Sequence, residues 1–186
     1  MVDMINHPPH YASHEIFEGE CIEWIWNQPK VVSDMGKYAW RFGDKDTPES
    51  NIGKVRFYAR LLRDKAIHNG YIPRVGADDT ARTYDEAYEQ YASWYVHITC
   101  GPSGISYYPP MPVQHTVGFF DTAFTTATVF DSIDDDIARL TGAIIVLTLQ
   151  CSQASDADTV AAIANHIIDI CNRLLVLFEI KRDRQK

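Results

Sequence analysis

The stretch SIDDDIARLTGAIIVLTLQCSQASDADTVAAIANHIIDICNRLLVLFEI, residues 132–180, decides the fold class, because it predicts two long apolar helices joined by a short polar turn. Ser132 is a suitable N-cap, and the aspartates after it suit the positive end of a helix dipole, so a helix is expected to about Gln150. A second helix begins near Asp156 and extends to about Ile180. Two long helices joined in this way form an antiparallel hairpin.

Both helices of this hairpin are apolar around much of their circumference. A helix of this kind must be covered on most sides. The hairpin is therefore expected either at the centre of the fold or in a subunit interface, and the second alternative predicts a homo-oligomer assembled through it. The apolar residues concerned are Ala143, Ile144, Ile145, Val146, Leu147 and Leu149 in the first helix, and Ile167, Ile168, Ile170, Leu174, Leu175, Val176, Leu177 and Phe178 in the second.

Three more helices are expected in residues 1–70. The diproline Pro8-Pro9 favours an extended N-terminal segment ahead of the first of these helices. In the third helix Thr47 is the expected N-cap and Pro48 the first helical residue, a position that proline suits because it has no N–H to satisfy there. The expected helices are Glu15–Trp26, Val31–Phe42 and Pro48–His68.

Residues 71–130 have the composition of a loop-rich connecting region. A short tyrosine-rich helix is expected over Tyr84–Val96, followed by a proline-rich loop over Cys100–Val117 and a helix over Phe119–Phe130. The chain is thus expected to be mostly α, with an N-terminal three-helix domain (1–70), this region (71–130) and the helical hairpin (131–186) in one compact unit.

The bulk composition excludes several classes of protein. The chain has 186 residues, a formal net charge of -8 and a pI of about 5.3. This charge disfavours binding to duplex DNA or to an anionic membrane through the overall field. The apolar run Gly142–Leu149 is far shorter than the ~20 residues that span a bilayer. The four cysteines form no metal-binding pattern and no signal peptide is recognisable, so reduced thiols and a cytoplasmic location are expected.

A concentrated block of cationic and aromatic residues, DMGKYAWRFGDKDTPESNIGKVRFY, fills residues 34–58 of this acidic chain. Such a block suits an anionic ligand, and above all phosphate, which needs Lys and Arg side chains around it. At successive four-residue steps, Lys37, Arg41 and Lys45 would lie on one edge of a helix that continued that far, and Gly43 is expected to limit this helix. The alternative is that Lys37 and Arg41 form ion pairs with glutamates of the preceding helix, Glu18, Glu20 and Glu23.

Two further constellations contain groups that bind metals or transfer protons. His7, His10 and His14 precede Cys21, but their spacing fits no closed zinc site, so no metal ligand is predicted. A histidine beside a nucleotide can act as acid or base near neutral pH, which favours a role for His10.

Glu20 and Glu23 match half of the paired-glutamate pattern of MazG-type all-α nucleotide pyrophosphohydrolases, which bind magnesium. No clear second half follows on the next helix. The sequence also has no P-loop, dinucleotide-binding glycine turn or nucleophile elbow.

Residues 6–65 resemble the SaV-like family of small phage-encoded proteins, which includes the nucleotide kinase of the T-odd coliphages. The chain departs from the family pattern at Ser33-Asp34, Asp44 and Asn51-Ile52. Nucleotide binding is therefore better supported by the resemblance than catalytic turnover. The matching residues are Asn6-His7-Pro8-Pro9-His10-Tyr11, Ile22-Glu23, Lys37-Tyr38, Arg41, Gly43, Lys45, Lys54 and Phe57-Tyr58.

The resemblance implies a deoxynucleoside monophosphate kinase that works without a P-loop, assembles as an oligomer and acts in the cytoplasm of an infected bacterial host. Mg²⁺ would enter with a nucleoside triphosphate donor. The implied catalytic residues are His10, Arg41 and Lys45, and the implied substrate-binding residues are Tyr11, Lys37, Tyr38, Lys54 and Tyr58.

Three alternatives remain open from the sequence. The first is a non-catalytic nucleotide-binding protein that acts as a sponge or a regulator. The second is the MazG-like pyrophosphohydrolase. The third is an interaction protein that contacts a partner through the hairpin and the loop Tyr107-Tyr108-Pro109-Pro110.

Overall fold

The computed structural model of the protein describes residues 8–76, 82–100 and 133–186, with the backbone alone described for 95–100. These residues contain helices and no strand, which confirms a mostly α fold. The helices are α1 (Pro9–Ala12), α2 (Cys21–Ile25), α3 (Lys30–Trp40), α4 (Pro48–Asn69), α5 (Tyr84–Cys100), α6 (Ile133–Cys151) and α7 (Ala157–Arg184).

Helix α6 lies at the centre of the molecule. Every residue from Arg139 to Leu149 is buried, because α3, α5 and α7 pack against it from different sides. Lys181 near the end of α7 contacts Asp134 in the first turn of α6, so these two helices run antiparallel. Of the two expected locations for the hairpin, the centre of the fold is therefore the one that the structure shows for α6.

Helix α4 forms an outer layer on α3 and α7. Its buried stripe includes Ile52, Val55, Ala59 and Leu62. It begins as predicted, since the Thr47 hydroxyl accepts a hydrogen bond from the Ser50 amide at 3.2 Å and Pro48 is the first helical residue. It ends at Gly70, whose φ of 61° lies in the left-handed region.

The predicted helix Glu15–Trp26 is wrong in its first half, where only Cys21–Ile25 is helical. Gly19 has a φ of 87°, a conformation that ends any regular helix there. The amide of Glu18 is hydrogen-bonded at 2.7 Å to the Gln90 side chain of α5 rather than to a helical carbonyl. Ile16 and Phe17 are nevertheless buried, so this segment packs without being helical.

Other predicted boundaries also need correction. The N-terminal segment is not wholly extended as predicted. Pro8 is extended, but Pro9 begins the short helix α1. Helix α3 ends at Trp40, two residues before the predicted Phe42. Helix α5 continues to Cys100, four residues beyond the predicted Val96.

Several predictions fall outside the described residues. These are the N-cap role of Ser132, most of the proline-rich loop Cys100–Val117 with its Tyr-Pro segment, the helix Phe119–Phe130, and His7.

Helix α7 has the length and apolar composition of a membrane span, with a mean hydropathy of 1.5 over its most apolar window. Half of that window is buried inside the fold, against α4 and α6. Core helices of this kind meet the same criterion, so the observation is weak evidence for a membrane. Cys21, Cys151 and Cys171 are likewise buried, and they are free thiols.

Two neighbouring leucines of α4 test the packing of the outer layer. Leu62 is fully buried and Leu61 is 37% exposed. Leu62→Ala should lower the free energy of unfolding by about 2–5 kcal/mol, because it leaves a cavity in the core. Leu61→Ala is the matched control and should change it by about 0.5 kcal/mol. Denaturant unfolding measures both, and equal effects would contradict this placement of α4.

Candidate functional site

Three cationic side chains gather around the ring of Tyr38 at the C-terminal end of α3. Arg41 lies 4.6 Å from the ring centroid, Lys37 4.9 Å and Lys54 5.1 Å. The first two come from the end of α3, and Lys54 comes from the second turn of α4. We call Lys37, Tyr38, Arg41 and Lys54 the Tyr38 cluster. An aromatic face attracts cations, so the ring helps to offset their mutual repulsion.

Arg41 is the buried member of this cluster, with 8% of its side chain exposed. It is the C-cap residue of α3, with a φ of -87° and a ψ of 21°, so it lies just beyond the regular helix. Nη1 donates to the Tyr11 hydroxyl at 3.0 Å, and Nη2 donates to Asp46 Oδ2 at 3.2 Å. Nε is buried and has no partner among the described residues. Two of the five N–H donors of the guanidinium are thus engaged, and these two contacts fix its orientation.

Asp46 joins two cations of the cluster. Its Oδ2 atom accepts from Lys54 Nζ at 2.8 Å as well as from Arg41. The hydrogen bond from Lys54 lowers the pKa of Asp46 below its usual value, and the charges of Lys54, Arg41 and Lys45 lower it further. The carboxylate thus stays ionised where it meets these cations.

Asp34 is a second carboxylate beside the cluster, and it is buried within the apolar face of α3. Lys37 Nζ donates to its Oδ1 at 3.0 Å, and Lys30 donates to its Oδ2. Burial alone would raise the pKa of Asp34, but the hydrogen bonds from Lys30 and Lys37 outweigh it, so the pKa lies below its usual value. Burial, followed by the charge of Asp34, raises the pKa of Tyr58.

Asn51 holds the segment between α3 and α4 in place. Its side chain is fully buried, and Nδ2 donates to the carbonyl of Lys45 at 2.6 Å and to that of Arg41 at 3.5 Å. Asp46 itself has a φ of 65°, in the left-handed region, and Gly43 has a φ of 84°. This turn brings the Asp46 carboxylate back towards the end of α3.

The remaining sequence-predicted residues lie at different distances from the cluster. The Tyr58 ring is stacked on Tyr38 at 6.0 Å between centroids. The His10 ring contacts Tyr11, with 4.3 Å between centroids, and so reaches the cluster only through Tyr11. Lys45 does not share a helix edge with Lys37 and Arg41, because α3 ends at Trp40, before the Gly43 that was expected to limit it. Its side chain is exposed.

The alternative ion pairs predicted for the cations are wrong. Lys37 and Arg41 contact Asp34 and Asp46, not the glutamates of the preceding helix. Glu23 instead lies 3.4 Å from Arg82. Trp40 is buried against His14 and Phe17, so its ring is not available to stack on a nucleotide base.

His14, the last histidine of the N-terminal segment, packs on the core side chains of Phe17 and Trp40. Burial lowers the pKa of His14 to about 4. Burial raises the pKa of Cys21 to about 12. Within the described ranges no group of three His, Cys, Asp or Glu side chains could hold a metal ion. An open surface depression of about 470 Å³, lined by residues 12–19, includes none of the Tyr38 cluster.

No protein-family model, curated protein or solved structure matches this chain. The resemblance to the SaV-like family rests on the quoted residues alone and stays a prediction.

Sequence reasoning missed the anionic half of the site. Lys30, Asp34 and Lys37 stand at four- and three-residue steps, a spacing that predicts ion pairs on one helix. The ion pairs of Asp34 could therefore have been predicted from the sequence. No comparable signal marks Asp46, because its contacts depend on a left-handed backbone in a turn.

The buried carboxylate of Asp34 should make stability depend on pH. Its lowered native pKa means that its contribution is present above the ordinary value of about 4 and is lost as the pH falls through the native value. Asp34→Asn should therefore cost about 1–3 kcal/mol of unfolding free energy near neutral pH, and the difference from the wild type should shrink in acid.

Urea unfolding across a pH series checks this expectation. Asp44→Asn is the control, since Asp44 is exposed in the same part of the chain. A difference between Asp34→Asn and the wild type that stays constant down to low pH would contradict it.

Proposed function

We propose that the Tyr38 cluster binds the phosphate groups of a nucleotide. The observation that carries this proposal is the convergence of Lys37, Arg41 and Lys54 on one ring, in a protein whose net charge is -8. Phosphate oxygens are recognised by clustered Lys and Arg donors, and Arg can donate two parallel hydrogen bonds to them.

The charges around the cluster leave a positive excess. Among the described residues, Lys30, Lys37, Arg41 and Lys54 pair with two carboxylates, Asp34 and Asp46. Such a local excess attracts an anion despite the acidic protein around it. The fixed guanidinium of Arg41 supports affinity as well, because little side-chain entropy remains to be lost on binding.

The activity proposed first is phosphoryl transfer to a deoxynucleoside monophosphate. It is supported by the resemblance of residues 6–65 and by the position of His10, whose ring contacts Tyr11, itself bound to Arg41. Cations around the transferred group stabilise its charge in the transition state, and Mg²⁺ would arrive with the triphosphate donor. Binding without turnover, as a sponge or a regulator, is the alternative.

Binding is tested by thermal unfolding with dTMP, dGMP and the corresponding di- and triphosphates. The wild type should be stabilised by at least one of them. Lys54→Gln should weaken the affinity about tenfold, because it removes a charge-assisted hydrogen bond. Arg60→Gln removes one positive charge from an exposed position of the same helix and serves as the matched control. Equal losses in the two variants, or no stabilisation of the wild type by any nucleotide, would contradict the proposal.

Turnover is tested separately by product analysis with a ligand that binds. A kinase should convert dTMP or dGMP to the diphosphate when a nucleoside triphosphate and Mg²⁺ are present. If the nucleotide stabilises the protein but no diphosphate forms above the protein-free background, the kinase activity is contradicted and the non-catalytic binding function is supported.

A further inference from the structure

The carboxylate of Asp46 occupies the donors that the proposed function assigns to phosphate. It accepts from Arg41 Nη2 at 3.2 Å and from Lys54 Nζ at 2.8 Å. A carboxylate and a phosphate compete for the same kind of donor, since both present anionic oxygens to it. We propose that Asp46 is an internal competitor, which binds Arg41 and Lys54 in the absence of ligand and releases them when phosphate enters. This inference rests on the proposed function.

The backbone holds Asp46 in this position from both sides. The carbonyl of Lys45 is bound by Asn51, and Thr47 caps α4. Among the described residues Asp46 is the one non-glycine residue with a positive φ. A side chain with a carboxylate tolerates this conformation better than most, but the conformation remains unfavourable relative to glycine. The contact with the cations therefore holds the residue in a conformation that it would otherwise adopt less often.

The exposure of the partners indicates which one moves. The Asp46 side chain is 37% exposed, whereas that of Arg41 is 8% exposed and fixed by Tyr11. The charged groups that face Asp46 are Arg41, Lys54 and Lys45. Rotation of the Asp46 side chain towards solvent frees two donors without moving the buried guanidinium.

The competition also selects the ligand. A phosphate monoester or a diphosphate carries more negative charge and more acceptor oxygens than one carboxylate, so it can displace Asp46. A monoanion such as acetate or chloride gains too little from the same donors. The ligand class is therefore a polyanionic phosphate, as in a nucleotide.

Titration calorimetry with inorganic pyrophosphate tests the inference. Asp46→Asn keeps the size of the side chain and its tolerance of positive φ, but removes the charge. It should bind pyrophosphate about two- to tenfold more tightly than the wild type, since the ion pairs of Asp46 with Arg41 and Lys54 no longer oppose binding. Asp46→Gly relieves the backbone as well and should also bind more tightly. Asp44→Asn makes the same charge change at an exposed position two residues away and should change affinity less than about twofold.

Each outcome decides the inference. Tighter binding in the Asp46 variants alone supports it, including binding that is seen only in those variants. Affinity equal to or lower than that of the wild type in both Asp46 variants overturns it and leaves the proposed function intact. An equal gain in Asp44→Asn also overturns it, because the effect is then one of general charge. Failure of the wild type and every variant to bind overturns both proposals.

Discussion

An apolar helix that must be covered on all sides organises this protein. Helix α6 has buried residues around its whole circumference, which no single neighbour could cover. Helices α3, α5 and α7 surround it, and α4 covers α3 and α7 from outside. The burial of this apolar surface is the main source of stability, as in globular domains generally. The packing of α3 on α6, and of α4 on α3, also positions the Tyr38 cluster, whose residues come from the end of α3 and the start of α4.

The cluster is coupled to this core through α3. Val32, Met35 and Ala39 are buried, and the carboxylate of Asp34 is buried among them. A buried charge is stable only when it is paired, so the buried Asp34 requires Lys30 and Lys37. Lys37 is also a member of the Tyr38 cluster and therefore serves both the helix packing and the candidate site. Substitution of Lys37 changes both.

The helical fold and the cationic residues were predictable because they depend on local patterns. The N-cap at Thr47 and the central apolar run of α6 follow from residue types at fixed spacings. The segment Glu15–Gly19 was not, because its backbone is set by Gly19 and by a contact with Gln90, far away in sequence. The partners of Arg41 were missed for the same reason, since they meet it only through a turn and through α1.

The proximity of the cations explains why the site contains carboxylates at all. Lys37, Arg41 and Lys54 lie within about 5 Å of one ring, and the ring's attraction alone is modest compared with the repulsion of like charges at such distances. The fold must therefore supply anions whenever no ligand is bound. Asp34 is buried and permanent, and it forms ion pairs with Lys30 and Lys37 of α3. Asp46 is exposed and carried by a turn, so of the two carboxylates it is the one that a ligand can replace without disturbing the core.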